Sequence, residues 1–378
     1  MHVYLDNGAT TKVSKEVLDS MAPYFLDKYG NASSLHELGR EAKKALEKNR
    51  EIIAKKINAS KDEIIFTAGG SESNNLAIKG LAFLNKDKNH IITSKIEHPS
   101  VLETCRYLEK QGFSIDYIKV NKDGFIDLRE LEKGINDKTL LVSIIHANNE
   151  IGVIQDLEKI GEICKKKNVY FHTDAVQSFC KEEIDVKKMN ISLASFSAHK
   201  IHGPKGVGAL YVKKGIKLNS LIHGGHHEFN LRAGTENIPG IVGFAKATEL
   251  IKKEDIERMT RLRDRLINEL LKIKNTQLNG SRDRRLCNNV NIAFNFIEGE
   301  SLLLHLDSKG IEVSTGSACS SQSLEPSHVL LAIGLKHEIA HGTIRFTLSK
   351  YNTEKEIDYV VKNVKDVVQN LRRISPLK

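Results

Sequence analysis

The stretch EIIFTAGGSESNNLAIKGLAFLNKDKNHIITS, residues 63–94, decides the fold. EIIFT (63–67) is a short apolar run rich in β-formers and reads as a strand. Small residues follow, two of them glycine. SESNNLAIKGLAFL (71–84) then changes to helical spacing, and HIITS (90–94) is a second strand-like run. A strand, a glycine turn, a helix and a strand make one unit of an alternating series.

The same alternation continues outward. Helices are predicted over 100–110, 127–135 and 156–168. Strands are predicted at SIDYIKV (114–120), LLVSIIH (140–146), VYFHTDA (169–175), ISLASFSAHK (191–200) and VGALYV (207–212). Such a series predicts an α/β fold with a mostly parallel sheet covered on both faces. Ligand-binding groups in these sheets gather at the C-terminal ends of the strands. Past about residue 245 the pattern changes. A Lys/Arg/Glu-rich helical stretch spans 244–274. NNVNIAFNF (288–296), a helix over 301–310, IEVSTG, TIRFTLS (343–349) and an amphipathic helix over 354–373 follow. They predict a smaller α+β domain onto which the N-terminus packs back. At 378 residues the chain exceeds the usual size of one core. Two domains are expected: a large one over 11–255, and a small one made of 1–10 and 256–378.

Composition narrows the function classes. The net charge is +9, but the lysines are scattered at helical spacing, as on a solvated face, so RNA binding is the weaker reading. No stretch approaches the roughly 18 apolar residues of a membrane span. The N-terminus carries no secretory pattern, and the expected location is the cytoplasm. Cys105, Cys164, Cys180, Cys287 and Cys319 are odd in number and form no CxxC pair, which argues against a disulfide framework. Most read as small buried hydrophobes, and Cys105 and Cys164 fit this within helix-like patterns. Cys319 lies in STGSACSSQS, a non-periodic run of small residues that reads as an exposed loop.

Four segments at predicted strand ends carry chemistry. In SAHKIHGPKG (197–206), Lys200 closes a strand and precedes a Gly/Pro loop. A partly desolvated lysine there could form a Schiff base. Asp174 in HTDAVQS (172–178) ends a buried strand, where a carboxylate is costly unless paired. The ring nitrogen of pyridoxal phosphate is such a partner. TAGGSESNN (67–75) places glycines and serines at a helix start, a setting for a phosphate group. His98 in IEHPS follows another strand and could stack on a ring and move protons. A surface lysine, a capping aspartate, an ordinary capped turn and a structural histidine would each account for one segment alone. Their conjunction on consecutive strand ends favours a pyridoxal-phosphate enzyme.

Taken together, YLDNGATT (4–11), YGNASSLH (29–36), SESNNLAIKG (71–80), EHPSV (97–101), NNEIGVIQD (148–156), HTDAVQS, FSAHKIHGPKG (196–206), RAGTEN (232–237), STGSACSSQSLEPSHVL (314–330) and HGTIRFTLS (341–349) closely resemble the NifS/IscS-type cysteine desulfurases. These are pyridoxal-phosphate-dependent transferases of fold type I. The resemblance implies that Lys200 joins the cofactor covalently, His98 stacks on its ring and Asp174 pairs with its nitrogen. Gln177 and Asn149 would contact the ring oxygen and its surroundings. Gly70, Ser71, Ser197 and His199 would hold the phosphate, with Thr235 from the other subunit of a homodimer. Arg345, with Asn149, would bind the substrate, L-cysteine. Cys319 would take its sulfur as a persulfide and leave alanine. Acceptors would be an IscU/NifU-type scaffold for iron–sulfur clusters or tRNA-thiolation enzymes, with no direct nucleic-acid or membrane partner.

The chain departs from the family pattern at Gly69-Gly70-Ser71 and at Phe229-Asn230-Leu231. It also stops at ISPLK (374–378), short of the housekeeping members' docking tail. The rival readings are a pyridoxal-phosphate β-lyase or selenocysteine lyase, a metal carrier built on HGGHH (223–227), and an RNA-binding module.

Overall fold

The computed structural model describes residues 1–85, 87–315 and 326–376. Its strands are β1 (Val3–Tyr4), β2 (Ile64–Thr67), β3 (His90–Ser94), β4 (Ser114–Ile118), β5 (Thr139–Ser143), β6 (Tyr170–Asp174), β7 (Leu193–Ser197), β8 (Gly208–Val212), β9 (Thr276–Leu278), β10 (Asn289–Phe294), β11 (Ile311–Glu312), β12 (Ser314–Thr315) and β13 (Thr343–Thr347).

The larger sheet has the order β2-β8-β7-β6-β5-β3-β4. β8 is antiparallel to both of its neighbours, and every other pairing is parallel. The remaining strands therefore point the same way and end on one edge. Consecutive apolar residues feed opposite faces, as the two-residue pleat requires. Phe66, Ile92, Val142 and Phe196 join the core beneath the Glu37–Lys56 and Ile238–Leu250 helices. Ile65, Ile91, Leu141 and Leu193 join the core beneath the Gly70–Leu84 and Pro99–Glu109 helices. Both faces are covered, so these strands read in the sequence as unbroken apolar runs. Phe179 knits the first core, with its ring 4.7 Å from that of Phe196 and 5.8 Å from that of Phe244.

The second sheet has the order β12-β13-β10-β9 and is antiparallel throughout. The Glu354–Ile374 helix lays Ile357, Val360, Val361, Val364, Val367, Val368 and Leu371 against that core, one apolar stripe at helical spacing. A capping box between Thr353 and Glu356 sets its start. β1 pairs in parallel with β11, Asp6 bridges Thr347, and Val3 and Leu5 enter the same core. The N-terminal residues thus pack on the last third of the chain before it enters the larger sheet.

The helical stretch expected over 244–274 is in fact two helices, Ile238–Leu250 and Lys253–Leu270. Ile251 takes an extended conformation between them. The first helix is buried on most sides against the larger sheet, whereas the second is amphipathic and serves the smaller one. The change of burial partner forces the break, and no Gly or Pro marks it. Among the described residues no helix is long and apolar enough to cross a membrane.

Candidate active site

The shared C-terminal edge of the larger sheet opens on a cavity of about 400 Å³, a size suited to a cofactor with a small substrate. Gly70, Ser71, His98, Asn149, Asp174, Gln177, Ser197, His199, Lys200 and Arg345 all line it. Thr235 does not; it is exposed in the loop after Gly234. Cys319 lies outside the described residues.

Each side chain owes its place to a strand end. The chain leaves β2 and starts the next helix at Gly70. A Cβ on Gly70 would meet Val176 Cγ2 at 2.5 Å, so glycine lets the helix start lie against the segment after β6. The helix presents its first N–H groups to the cavity there, beside Ser197 and His199 from the end of β7. Burial, with the charge of Lys200 next, pushes His199 down to about 4.

Asp174 ends β6 and is almost wholly buried. Its described hydrogen-bond partners are both uncharged: Asn74 Nδ2 donates to Oδ2 at 2.7 Å and Val176 N to Oδ1 at 3.0 Å. Asn74 Nδ2 also donates to Ser100 Oγ at 2.9 Å, and that hydroxyl lies 2.8 Å from His98 Nδ1. One polar chain therefore runs from Asp174 through Asn74 and Ser100 to His98. His98 caps the Pro99–Glu109 helix by accepting from Ser100 N, so its ring orientation is set by the helix start. Burial lowers its pKa; Asp174 opposes that, and Lys200 and His328 add to it. Burial thus disfavours the charged ring, and with Nδ1 accepting from Ser100 N, Nε2 is the nitrogen left for proton exchange.

Lys200 sits in the turn Ala198–Lys200 after β7. Its Nζ donates to Gly8 O at 2.6 Å and to Ala9 O at 2.7 Å. Gln177 Nε2 donates to the same Gly8 carbonyl at 3.0 Å. Thr11 Oγ1 donates to His199 O at 2.9 Å and accepts from His202 N at 2.8 Å. The DNGATT segment (6–11) is therefore a wall of the cavity, laced to the lysine turn.

Arg345 rises from the middle of β13 and is 2% exposed. Nη1 donates to Asn149 O at 3.1 Å, and Nη2 donates to Asp6 Oδ1 at 2.9 Å. Nε is buried and has no hydrogen-bond partner among the described residues. A buried cationic donor left unpaired in a cavity wall suits an anionic ligand group.

Sequence reasoning passed over several of these residues. Asn74 lies one helical turn beyond Gly70 on the same face, a spacing that could have exposed it. Asp6, Gly8 and Ala9 lie in the YLDNGATT motif, but it did not reveal their contacts, which depend on a chain crossing. A third omission is Glu228. It is buried with Arg50 in a bidentate pair at 2.6 and 2.7 Å, and Oε2 also accepts from Phe66 N at 2.6 Å. The guanidinium lies between the rings of Phe66 and Phe229, 4.8 and 5.2 Å from their centroids. Glu228, Phe229 and Asn230 all have positive φ, of 45°, 57° and 64°. The Phe-Asn-Leu departure is thus part of a clamp that ties the loop bearing Thr235 to β2.

Cys105, Cys164, Cys180 and Cys287 are buried and free, each pushed up to about 12 by burial, which makes them poor nucleophiles. In HGGHH, His226 Nδ1 bonds Asn230 Oδ1 and His227 Nδ1 accepts from Gly234 N. Among the described residues no group of three or more His, Cys, Asp or Glu could hold a metal ion.

Comparison with known proteins adds to this geometry. The family model described as aminotransferase class-V matches residues 3–360. The cysteine desulfurase IscS of Dictyoglomus turgidum is 54% identical over 381 residues, covering 100% of this chain and 97% of that protein. The cysteine desulfurase IscS of Methanosarcina thermophila is 55% identical, covering 99% of this chain and 94% of that protein. Among solved structures, a NifS-like protein superposes with a TM-score of 0.93 at 43% identity, covering 98% of this chain and all of that one. A structure of SspA in complex with cysteine gives a TM-score of 0.85 at 42% identity, covering 93% and 100%.

Proposed function

Because the chain belongs to the aminotransferase class-V family, whose members are pyridoxal-phosphate enzymes, we propose that it is a cysteine desulfurase that makes alanine and a persulfide on Cys319 from L-cysteine. One observation supports the reading: a single cavity unites a lysine, a buried carboxylate with only uncharged described partners, a histidine whose burial disfavours the charged form, and a buried arginine whose Nε has no partner among the described residues.

The residues present fit pyridoxal phosphate. Asp174 lacks a described cationic partner, and a pyridinium nitrogen is one. The close approach at Gly70 leaves backbone N–H groups for a phosphate, with Ser71, Ser197 and His199 around them. When bound, the cofactor supplies an electron sink for the substrate carbons. Lys200 is the group that attaches it, and Gln177 and Asn149 lie where they can contact the ring's surroundings. Thr235 of the partner subunit would complete the phosphate site in a homodimer.

Arg345 holds the α-carboxylate of L-cysteine, and Asn149, whose carbonyl accepts from the guanidinium, lies beside it. His98, fixed by Ser100, moves a proton at its remaining ring nitrogen. The thiolate of Cys319 attacks the substrate sulfur. The sulfur–sulfur bond forms as the carbon–sulfur bond breaks, and the carbon takes up a proton to give alanine. The acceptors we propose are an IscU/NifU-type iron–sulfur scaffold or tRNA-thiolation enzymes, in the cytoplasm. We propose the domain division 11–255 against 1–10 with 256–378, which puts Asp6 and Arg345 on one unit and Lys200 on the other.

The test is a visible spectrum of the purified protein before and after L-cysteine, with alanine assayed in the same tube. A yellow band that shifts, with alanine formed and sulfur retained on Cys319, is expected. A colourless protein that takes up no pyridoxal phosphate would overturn the proposal. Pyruvate and free sulfide in place of alanine would replace desulfuration with β-elimination.

A further inference from the structure

Glu150 is a buried carboxyl that the proposed reaction leaves without a task. It follows Asn149 in NNEIG, lines the same cavity, and is 2% exposed. Its backbone is locked in place. Its N–H donates to Asn148 Oδ1 at 2.9 Å, and its carbonyl accepts from the side-chain amides of Asn289 and Asn291 at 3.0 and 3.1 Å. The carboxyl is buried with the rest of the residue, held by a side-chain contact to Ser327. Its described hydrogen-bond partner is the Ser327 hydroxyl, which donates to Oε2. Arg345, the cation that acts on this carboxyl, directs Nη2 to Asp6 and Nη1 to the carbonyl of Asn149, not to Glu150.

Charge bookkeeping at this end of the cavity is then simple. Asp6 already balances Arg345. An ionised Glu150 leaves the end net negative before any substrate arrives. Bringing a second carboxylate to Arg345 in a buried site raises that repulsion steeply, and protonation of Glu150 removes it. A protonated Glu150 also offers an O–H donor to the arriving anion. The other groups around it do not change the sign. β10 brings only amides, Ser327 is neutral, and His98, Asp174 and Lys200 line the cavity from the larger sheet.

Resting on the desulfurase reading, we propose that Glu150 is a specificity-determining residue: it carries a proton while an α-carboxylate is held at Arg345, and its ionisation weakens binding of that anion. Burial pushes this carboxyl up to about 7, with Ser327 and then Arg345 pulling it back, so the switch falls within the working pH range.

The experiment uses the cofactor-loaded protein and L-alanine, the thiol-free product, as probe. Its dissociation constant is measured at pH 6, 7 and 8 for the native protein and for Glu150→Gln, with proton uptake read by calorimetry in two buffers. Dividing one protein's affinity by the other's cancels the titration of the ligand amine and of Lys200. The ratio of Glu150→Gln affinity to native affinity is expected to rise roughly tenfold from pH 6 to pH 8, the size of one pKa unit. Native protein is expected to take up more protons on binding than the variant. A ratio that stays flat, with equal uptake, would overturn the proposal. Ser327→Ala is the second variant. It removes a donor to the ionised form, so it is expected to move the native loss of affinity to higher pH; no movement would count against the proposal. Alanine formation from L-cysteine by the same native preparation checks the underlying reading separately. If none forms, the desulfurase reading falls and takes this proposal with it.

Discussion

Asp6 Oδ1 lies 2.9 Å from Arg345 Nη2, an ion pair between residues 339 positions apart in the chain. With Asn149 O on Nη1, it fixes the guanidinium plane and leaves Nε without a partner among the described residues. Asp6 does not line the cavity, so on the proposed function it would act on the substrate through Arg345. Replacing it by Ala removes one of two charged or carbonyl anchors. KM for L-cysteine is expected to rise about tenfold, with kcat changed less, since a hydrogen bond to a charged group contributes about 1.5–3 kcal/mol. Cysteamine, which lacks the carboxylate, is the control. An equal loss of affinity for both compounds would mean that Asp6 merely supports the fold.

Asn74 is the described side-chain donor to Asp174, and it also reaches Ser100. Asn74→Ala leaves Asp174 Oδ2 buried without that donor, at a cost of about 1–3 kcal/mol. Affinity for pyridoxal phosphate is expected to fall roughly tenfold, read by an absorbance titration of the cofactor-free protein. An unchanged titration would show that the Asp174–Asn74–Ser100–His98 chain does not position the carboxylate.

Cys319 has a role separable from the cofactor. Cys319→Ala is expected to abolish sulfur transfer and cysteine-dependent alanine formation while leaving the visible band intact. The four described cysteines cannot stand in for it, because burial holds their thiols protonated. Alanine formation at the native rate in this variant would sink the assignment.

Glu228 and Arg50 are both buried, and removing Glu228 leaves Arg50 with only the more distant Glu47 carboxylate, 3.5 Å from its Nε. Glu228→Ala is expected to cost about 3 kcal/mol in urea unfolding, because Arg50 loses its bidentate partner and keeps only Glu47, and the Phe66 N–H loses its acceptor. Leu at 228 with Met at 50, which removes both charges, is expected to recover much of that loss. Failure of the double change to recover would mean that the backbone turn at 228–230, not the ion pair, is the stabilising element.

Acid stability follows from the buried histidines. Burial pushes His146 and His172 down to about 3 and His199 and His202 down to about 4, against an ordinary 6.5. The folded-state values lie below the unfolded ones. The contribution of these groups is therefore complete above about pH 6.5 and is lost as pH falls from there toward 4. His172 shows why: both ring nitrogens are bonded, to Ser143 Oγ at 2.8 Å and Ser195 Oγ at 3.0 Å, with no anion to accept a charge. The melting temperature of the cofactor-free protein should drop steadily between pH 6.5 and 4.5. A constant value across that range would contradict the argument.

Much of the fold could be read directly. Pairs such as Ile65 and Phe66, or Ile91 and Ile92, feed two different cores, so each strand had to appear as a continuous apolar run between glycine turns and amphipathic helices. The break at Ile251 could not be read, because the two helices on either side differ in what they pack against and not in local punctuation. Strand-end chemistry was legible for the same reason as the strands. Lys200, Asp174, His98 and Gly70 each stand where an apolar run stops, and a parallel sheet brings such ends together.

What the sequence determined by itself was therefore the periodic part: the parallel sheet, its helices, and the side chains at the ends of its strands. Tertiary structure alone decided what completes the cavity. Gly8 and Ala9 reach the lysine, Asp6 reaches Arg345, Glu150 lines the same cavity, and Glu228 clamps a distant loop, each across more than 100 residues or through a buried neighbour. Local periodicity records which face of an element is buried. It does not record which remote backbone carbonyl or carboxylate will lie against that face. That is settled only when the N-terminal segment and the smaller sheet close over the larger one and every buried donor must find an acceptor.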